Sequence, residues 1–360
     1  MDAKLEFRVT FLRRTCVKAT LKNIVIRFRI PLLIALGIAL LGLPFLLTNA
    51  YLLRVATMVG IYIVLASSLN IVIGFTGMFS LGHGAFYGLG AYCSALLALR
   101  LGWSFWVCML AAGVFAGFWG AMIGLATLRL RAIFLAFTTL GFGEIVRILI
   151  LNWTPLTRGP MGLVGIPVPN LFGQKFNSMH SYYLILVLIV IVVVFIHRLS
   201  ASKVGRAFLA IREDELAAKS MGINVFAYKT LAFTIACFIA GIAGSFYAHF
   251  ARFLSADQFS GNESFTVLTM VALGGTGSIV GPMLGAGILV LLPELFRFMS
   301  QYRMVLYGLI LIGVIVLRPG GIMGVKGLFE RSEPLFKKHR KRGQKRQRAV
   351  VGGAERELQH

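Results

Sequence analysis

Long apolar runs, one after another and each near the length of a bilayer crossing, constrain this chain more than any other feature. A helix spanning ~30 Å of hydrocarbon at 1.5 Å per residue needs about 20 mostly apolar residues. By that ruler ten stretches qualify or come close: 30–48, 51–73, 84–100, 103–127, 132–152, 182–197, 229–251, 264–276, 279–298 and 303–318. YYLILVLIVIVVVFIH at 182–197 is the plainest. The stretch 264–276 is short and leads straight into GGTGS, which reads as a broken or re-entrant helix. Of the 360 residues 58% are apolar and only 14% charged, against about 25% charged in an ordinary soluble domain. No water-facing shell could be assembled from that stock. The expected fold class is all-α: a polytopic membrane protein of about ten transmembrane helices, some broken or re-entrant.

The net charge of +23 would suggest nucleic acid in a soluble protein, so its distribution matters. With the N-terminus inside, the inner segments are 1–29, 128–131, 198–229 and 318–360. They hold 8, 2, 6 and 12 Lys+Arg, together 28 of 36. Short inner loops are expected to carry such an excess, so the charge is topological and no nucleic-acid partner is expected. The reading is a multi-pass bacterial inner-membrane protein with both termini cytoplasmic. Its parts are a basic N-terminal segment 1–29, a transmembrane domain 30–325 with a cytoplasmic loop at 198–228, and a basic, disordered tail 326–360. KKHRKRGQKRQR in that tail is an anchor able to touch anionic membrane lipid. The N-terminal stretch lacks a small-residue cleavage site and does not read as a removable signal.

Several chemistries are excluded by missing motifs. No G-x-x-x-x-G-K-[ST] phosphate loop, H-E-x-x-H pair or G-x-S-x-G elbow occurs, and each carries a specific geometry its reaction needs. The four cysteines show no C-x-x-C spacing, which supports neither a zinc site nor a disulfide framework. No catalytic residues, metal or bound cofactor are expected. A chain of this kind that moves a solute draws energy from a partner or a gradient.

The longest inner hydrophilic stretch is SASKVGRAFLAIREDELAAKSMGINVFAY, 200–228. Ala210–Met221 reads as one short helix with acids early and Lys219 late, which suits the helix dipole. Gly222 follows as a left-handed terminator. Such a helix is either a rigid knob for a cytoplasmic partner or an amphipathic connector. Within it Glu215, Ala217, Ala218 and Gly222 form E-x-A-A-x-x-x-G, which resembles the EAA loop of ABC-importer permeases. The wider run GRAFLAIREDELAAKSMGINVFAYKTLAF resembles LivM-type permeases for branched-chain amino acids (the LivH/LivM permease family). So do SLGHGAFYGLGAY (80–92), FTTLGFGEIVRILILNW (137–153), GPMGLVGIP (159–167), LGGTGSIVGPMLGA (273–286) and LRPGGIMG (317–324). The likeness extends over about residues 60–325. It implies a loop, with Arg212, Glu213, Glu215, Ala217, Ala218 and Gly222, that docks on a cytoplasmic ATPase. It also implies a second homologous permease, two ATP-binding subunits that use the ATP, and a periplasmic substrate-binding protein docking on outer loops that include Gly159 and Gly162. Two departures stand out. Family members often carry T-G-G where this chain has Thr157, Arg158 and Gly159, and the basic tail lies outside the likeness.

Candidates for the translocation pathway follow from backbone breaks and buried charge. Non-helical backbone at membrane depth is tolerated only where it is buried or lines a cavity. Gly74, Gly77, Gly82, Gly84, Gly88 and Gly90 crowd the stretch between the second and third spans, where pathway lining competes with close helix packing. His83 faces a path or is a packed, hydrogen-bonded histidine. GGTG at 274–277 echoes GFTG at 74–77, giving Gly274, Gly275 and Gly277 as a second break of similar chemistry. Glu144 and Arg147 share one face of the fifth span, as a gate or zwitterion site on one reading and as a neutral structural pair on the other. Gly113, Gly117, Gly120 and Gly124 read as close helix packing. The functional expectation is a permease subunit importing Leu, Ile and Val by ATP-driven alternating access. A sister permease for urea or short amides, and a gradient-driven carrier, are the alternatives.

Overall fold

The computed structural model describes residues 42, 44, 49–127, 132–171, 174–295, 308 and 321–323. The expected spans 30–48 and 303–318 fall almost wholly outside the described residues, and the basic segments 1–29, 128–131 and 326–360 do so entirely. The chain divides into two compact units, Met1–Arg54 and Val55–His360. Apart from the first five residues of the first described helix, the elements Ala50–Leu295 belong to the second.

Among the described residues six helices are long and apolar enough to cross a membrane. The first is α1, Ala50–Asn70, prolonged by a π-turn at Ile71–Phe75; then come α2, His83–Leu101, α3, Phe105–Thr127, and α4, Ala132–Asn152. A single turn, α5 (Thr154–Thr157), opens an irregular segment. That segment contains three two-residue strands, β1 (Leu163–Val164), β2 (Asn170–Leu171) and β3 (Gln174–Lys175). The fifth long helix is α6, Ser178–Ala201. Two short helices, α7 (Lys203–Glu213) and α8 (Glu215–Ser220), lead to the sixth, α9, Val225–Ala251. After β4 (Phe253–Leu254), α10 (Gly261–Gly274) and α11 (Val280–Leu295) form a pair around GGTGS. At 14 residues α10 covers only about 21 Å, so the break expected after 264–276 is present: Gly275 and Gly277 hold φ 113° and 83°.

Small residues decide how the helices meet. A methyl on Gly90 would run into the backbone of Gly241, one on Gly244 into the carbonyl of Tyr87, and one on Gly120 into Cys237 Cβ and Sγ. The backbones of α2, α3 and α9 therefore touch almost directly. Such contact drives association in lipid, where no hydrophobic effect separates helix from tail. Buried rings such as Phe86, Phe208 and Phe233 fill the remaining space. By contrast α4 and α6 turn Phe134, Phe137, Ile145, Val190 and Ile191 outward, a distribution suited to a hydrocarbon solvent.

One expected element is corrected. The single helix Ala210–Met221 is two helices, broken at Asp214, whose backbone is extended (φ −157°). Its carboxylate accepts the amides of Leu216 (2.9 Å) and Ala217 (3.0 Å). Those are the free donors at the start of a new helix, and Asp is among the best residues to cap them. The bend lets Ala218 fold back beside Ile211 and Val225 in a small apolar cluster.

Candidate functional site

At the α7 end of the bundle the two glycine-rich breaks meet. Gly74 closes against Gly277: a methyl on Gly74 would sit 2.6 Å from the Gly277 amide. Asn70, buried at the end of α1, bridges them. Its Nδ2 donates to Ser278 O (2.8 Å) and its Oδ1 accepts from Gly277 N (2.9 Å). From the loop, Arg212 donates Nη1 to the carbonyl of Gly74, and its Cγ lies 3.3 Å from where Gly77 would carry a methyl. Arg212, expected as part of the coupling loop, turns its side chain into the bundle.

The other loop residues divide by face. Glu213, Ala217 and Gly222 are exposed, whereas Ala218 is buried. Gly222 takes φ 82°, a conformation that costs glycine nothing and a residue with Cβ about 1–2 kcal/mol. The Glu215 carboxylate accepts a 2.5 Å bond from Lys229 Nζ, which ties α8 to the start of α9. A groove of about 600 Å³ beside α8 is lined by Glu215, Lys219, Ile223, Asn224, Phe226 and Lys229. On α8 and just beyond its end, Leu216 and Met221 are 78% and 83% exposed.

Elsewhere the glycines at 82–90 pack. Gly82 abuts the Thr139 carbonyl, Gly84 the Ser264 hydroxyl and Gly88 the Phe259 ring, so close packing describes the geometry at these positions. His83 is buried and shares a 2.7 Å hydrogen bond with Ser68. Gly274 lies against the Gly281 carbonyl. Arg147 donates to Glu144 (2.8 Å) and also reaches Asp257 (3.3 Å). The expected pair is therefore a triad that spans to the 252–263 segment.

At the far end of α9, β1 pairs antiparallel with β4, Leu163 opposite Leu254. Gly159 and Gly162, at φ 54° and 72°, make the turns that bring β1 there, and a methyl on Gly162 would strike the Leu254 carbonyl. Behind this bridge His249 Nδ1 bonds to Pro167 O (2.7 Å), Nε2 to Ser94 Oγ (3.0 Å), and Ser94 to Ser245 (2.7 Å). A carbonyl only accepts, so Nδ1 carries hydrogen. In the neutral ring Nε2 then accepts from Ser94, whose oxygen accepts from Ser245.

Residues 51–315 match the family described as branched-chain amino acid transport system / permease component. The chain belongs to that permease family. It is 38% identical over 315 residues to the high-affinity branched-chain amino acid transport system permease protein LivM of Escherichia coli K12, covering 81% of this chain and 74% of the relative. LivM of Salmonella typhimurium LT2 gives the same figures. LivH of Escherichia coli K12 is 27% identical over 73% of this chain and 91% of its own length. No solved structure gives a significant match.

In this permease several of the residues expected from sequence fall into three groups. Gly74, Gly77, Gly277 and Arg212 converge at one end of the bundle. Gly159 and Gly162 belong to the bridge at the opposite end of α9, and the Glu144 triad reaches the 252–263 segment beside that bridge. Three features escaped the sequence reading. Asn70, a polar residue late in an apolar span, could have been flagged by the cost of placing it there. The Ser94–Ser245–His249 chain had no readable spacing. Glu263, whose Oε1 is buried without a hydrogen-bond partner, sits in no motif.

Proposed function

We propose that this permease is the membrane subunit of an ATP-driven importer that carries leucine, isoleucine and valine into the cell. The match to LivM across four-fifths of the chain carries the reading. The likeness to LivH as well supports a second, homologous permease as its partner. Two cytoplasmic ATPases would bind and hydrolyse the ATP, with this chain holding no cofactor. A periplasmic binding protein would deliver the solute to the 153–181 and 252–263 segments, and lipid would surround the outward faces of α4 and α6. About ten spans with both termini cytoplasmic fit the charge distribution, and that orientation puts α7 and α8 inside.

The coupling element is then α8. It is capped at both ends, tethered by Glu215–Lys229 and offers Leu216 and Met221 to a partner. Two large apolar side chains displayed on a polar loop suit a protein groove. Alternating access follows when ATP-driven closure of the ATPases moves α8. The test is co-purification of the complete complex and reconstitution with its binding protein. Leucine, isoleucine and valine should each stimulate ATP hydrolysis and accumulate in vesicles, while urea and acetamide do neither. Stimulation by the amides with none by leucine would replace the substrate assignment.

A further inference from the structure

We infer that Arg212 is a positioning residue that fastens the coupling loop to both glycine breaks, so that displacement of α7–α8 is delivered to Gly74 and Gly277 together. This rests on the coupling role proposed for α8 and adds the route by which its motion enters the membrane domain.

The geometry supplies the connection at three points. Arg212 lies in the last turn of α7, and α7 and α8 are held as one body by the Ile211–Ala218–Val225 cluster. Its guanidinium donates to Gly74 O, close to the end of the α1 π-turn. Carbonyls at a helix end lack intrahelical partners and carry the negative end of the helix dipole, so a cation is their matched ligand. The same Nη1 occupies the space that a Gly277 methyl would need, and the Arg212 stem lies along Gly77. Asn70 then clamps Gly277 and Ser278 to α1 through two hydrogen bonds. One side chain from the loop thereby touches both places where the membrane helices are interrupted. Interrupted backbone is also where a packed bundle absorbs a change of shape. A guanidinium fits because it offers several donors in a rigid fork, whereas an ammonium is a single point charge.

The test uses the complete importer in proteoliposomes, read by leucine imported per ATP hydrolysed and by amide exchange with and without ATP. Arg212→Gln should keep its ATPases, lower leucine per ATP at least tenfold, and abolish ATP-dependent exchange changes at 74–80 and 275–279 while those at 215–222 persist. Arg212→Lys, which retains the charge but is shorter and lacks the planar guanidinium, should contact Gly74 and Gly277 poorly together, lowering coupling at least threefold. Unchanged leucine per ATP, or unchanged exchange at the two breaks, overturns the proposal, as does release of the ATPases by Arg212→Gln. If the glutamine variant does not assemble, normal coupling together with normal exchange at 275–279 in the lysine variant overturns it alone. Leu216→Asp and Met221→Asp test the underlying reading separately. If both retain the ATPases and normal uptake, the docking role of α8 fails whatever Arg212 does; if they shed the ATPases while Arg212 variants stay coupled, only the positioning role fails.

Discussion

Arg158 and Arg252 hold left-handed backbone at φ 60°, each ending a helix by donating its amide back, to Thr154 O and Ala248 O respectively. The side chain makes this conformation cost about 1–2 kcal/mol. Arg158→Gly should therefore raise stability by about 0.5–1 kcal/mol, part of the relief being offset by glycine's freedom in the unfolded chain. Thermal unfolding in detergent should register it as a small increase in Tm. At Gly222 the argument reverses. Gly222→Val places a β-branched residue at φ 82° and should destabilise the end of α8 by about 1–2 kcal/mol, seen as faster amide exchange across 215–222 and as ATP hydrolysis without uptake in the assembled importer.

Helices and their junctions obey a different logic, in which a single cap or a single methyl alters a whole element. Asp214→Ala removes both cap bonds of α8 and should cost about 1 kcal/mol. With the cap gone, α7 and α8 can fuse into the continuous helix that the sequence suggested, which would swing Leu216 and Met221 to a new direction. Spin labels at the exposed positions 206 and 219 should then move further apart, and uptake should fall. Gly90→Ala pushes α2 away from the Gly241 backbone and should cost about 1–3 kcal/mol by overpacking, measured as a lowered Tm of the detergent-solubilised protein. Among the described residues the six long spans were legible because a bilayer imposes one length on every helix that crosses it, so α1 to α4, α6 and α9 begin and end close to the apolar runs. The break at Asp214 was not legible. Strong helix formers flank it on both sides, and the capping choice is decided by the packing of Ala218 on Ile211, a contact no local pattern encodes. The echo of GFTG and GGTG announced two breaks, but their meeting depends on Asn70 and Arg212, which lie far apart in sequence.

For the whole molecule, the proposed orientation predicts that reporter fusions at residue 170 and residue 212 lie on opposite sides, with 212 cytoplasmic; the opposite result at either site would remove both the positive-inside assignment and the docking role of α8. Within Val55–His360, α9 is the element that both ends of the site share. It runs 27 residues, about 40 Å, from Asn224 beside α8 to Arg252 beside the β1–β4 bridge. If the binding protein grips the bridge and the ATPases grip α8, both hold the ends of one rod. Equilibrium linkage then makes their effects mutual: whatever factor ATP adds to the grip of the receptor, the loaded receptor adds to the grip on ATP. The affinity of the complex for nucleotide, measured with no solute crossing at all, would therefore report whether cargo is waiting outside.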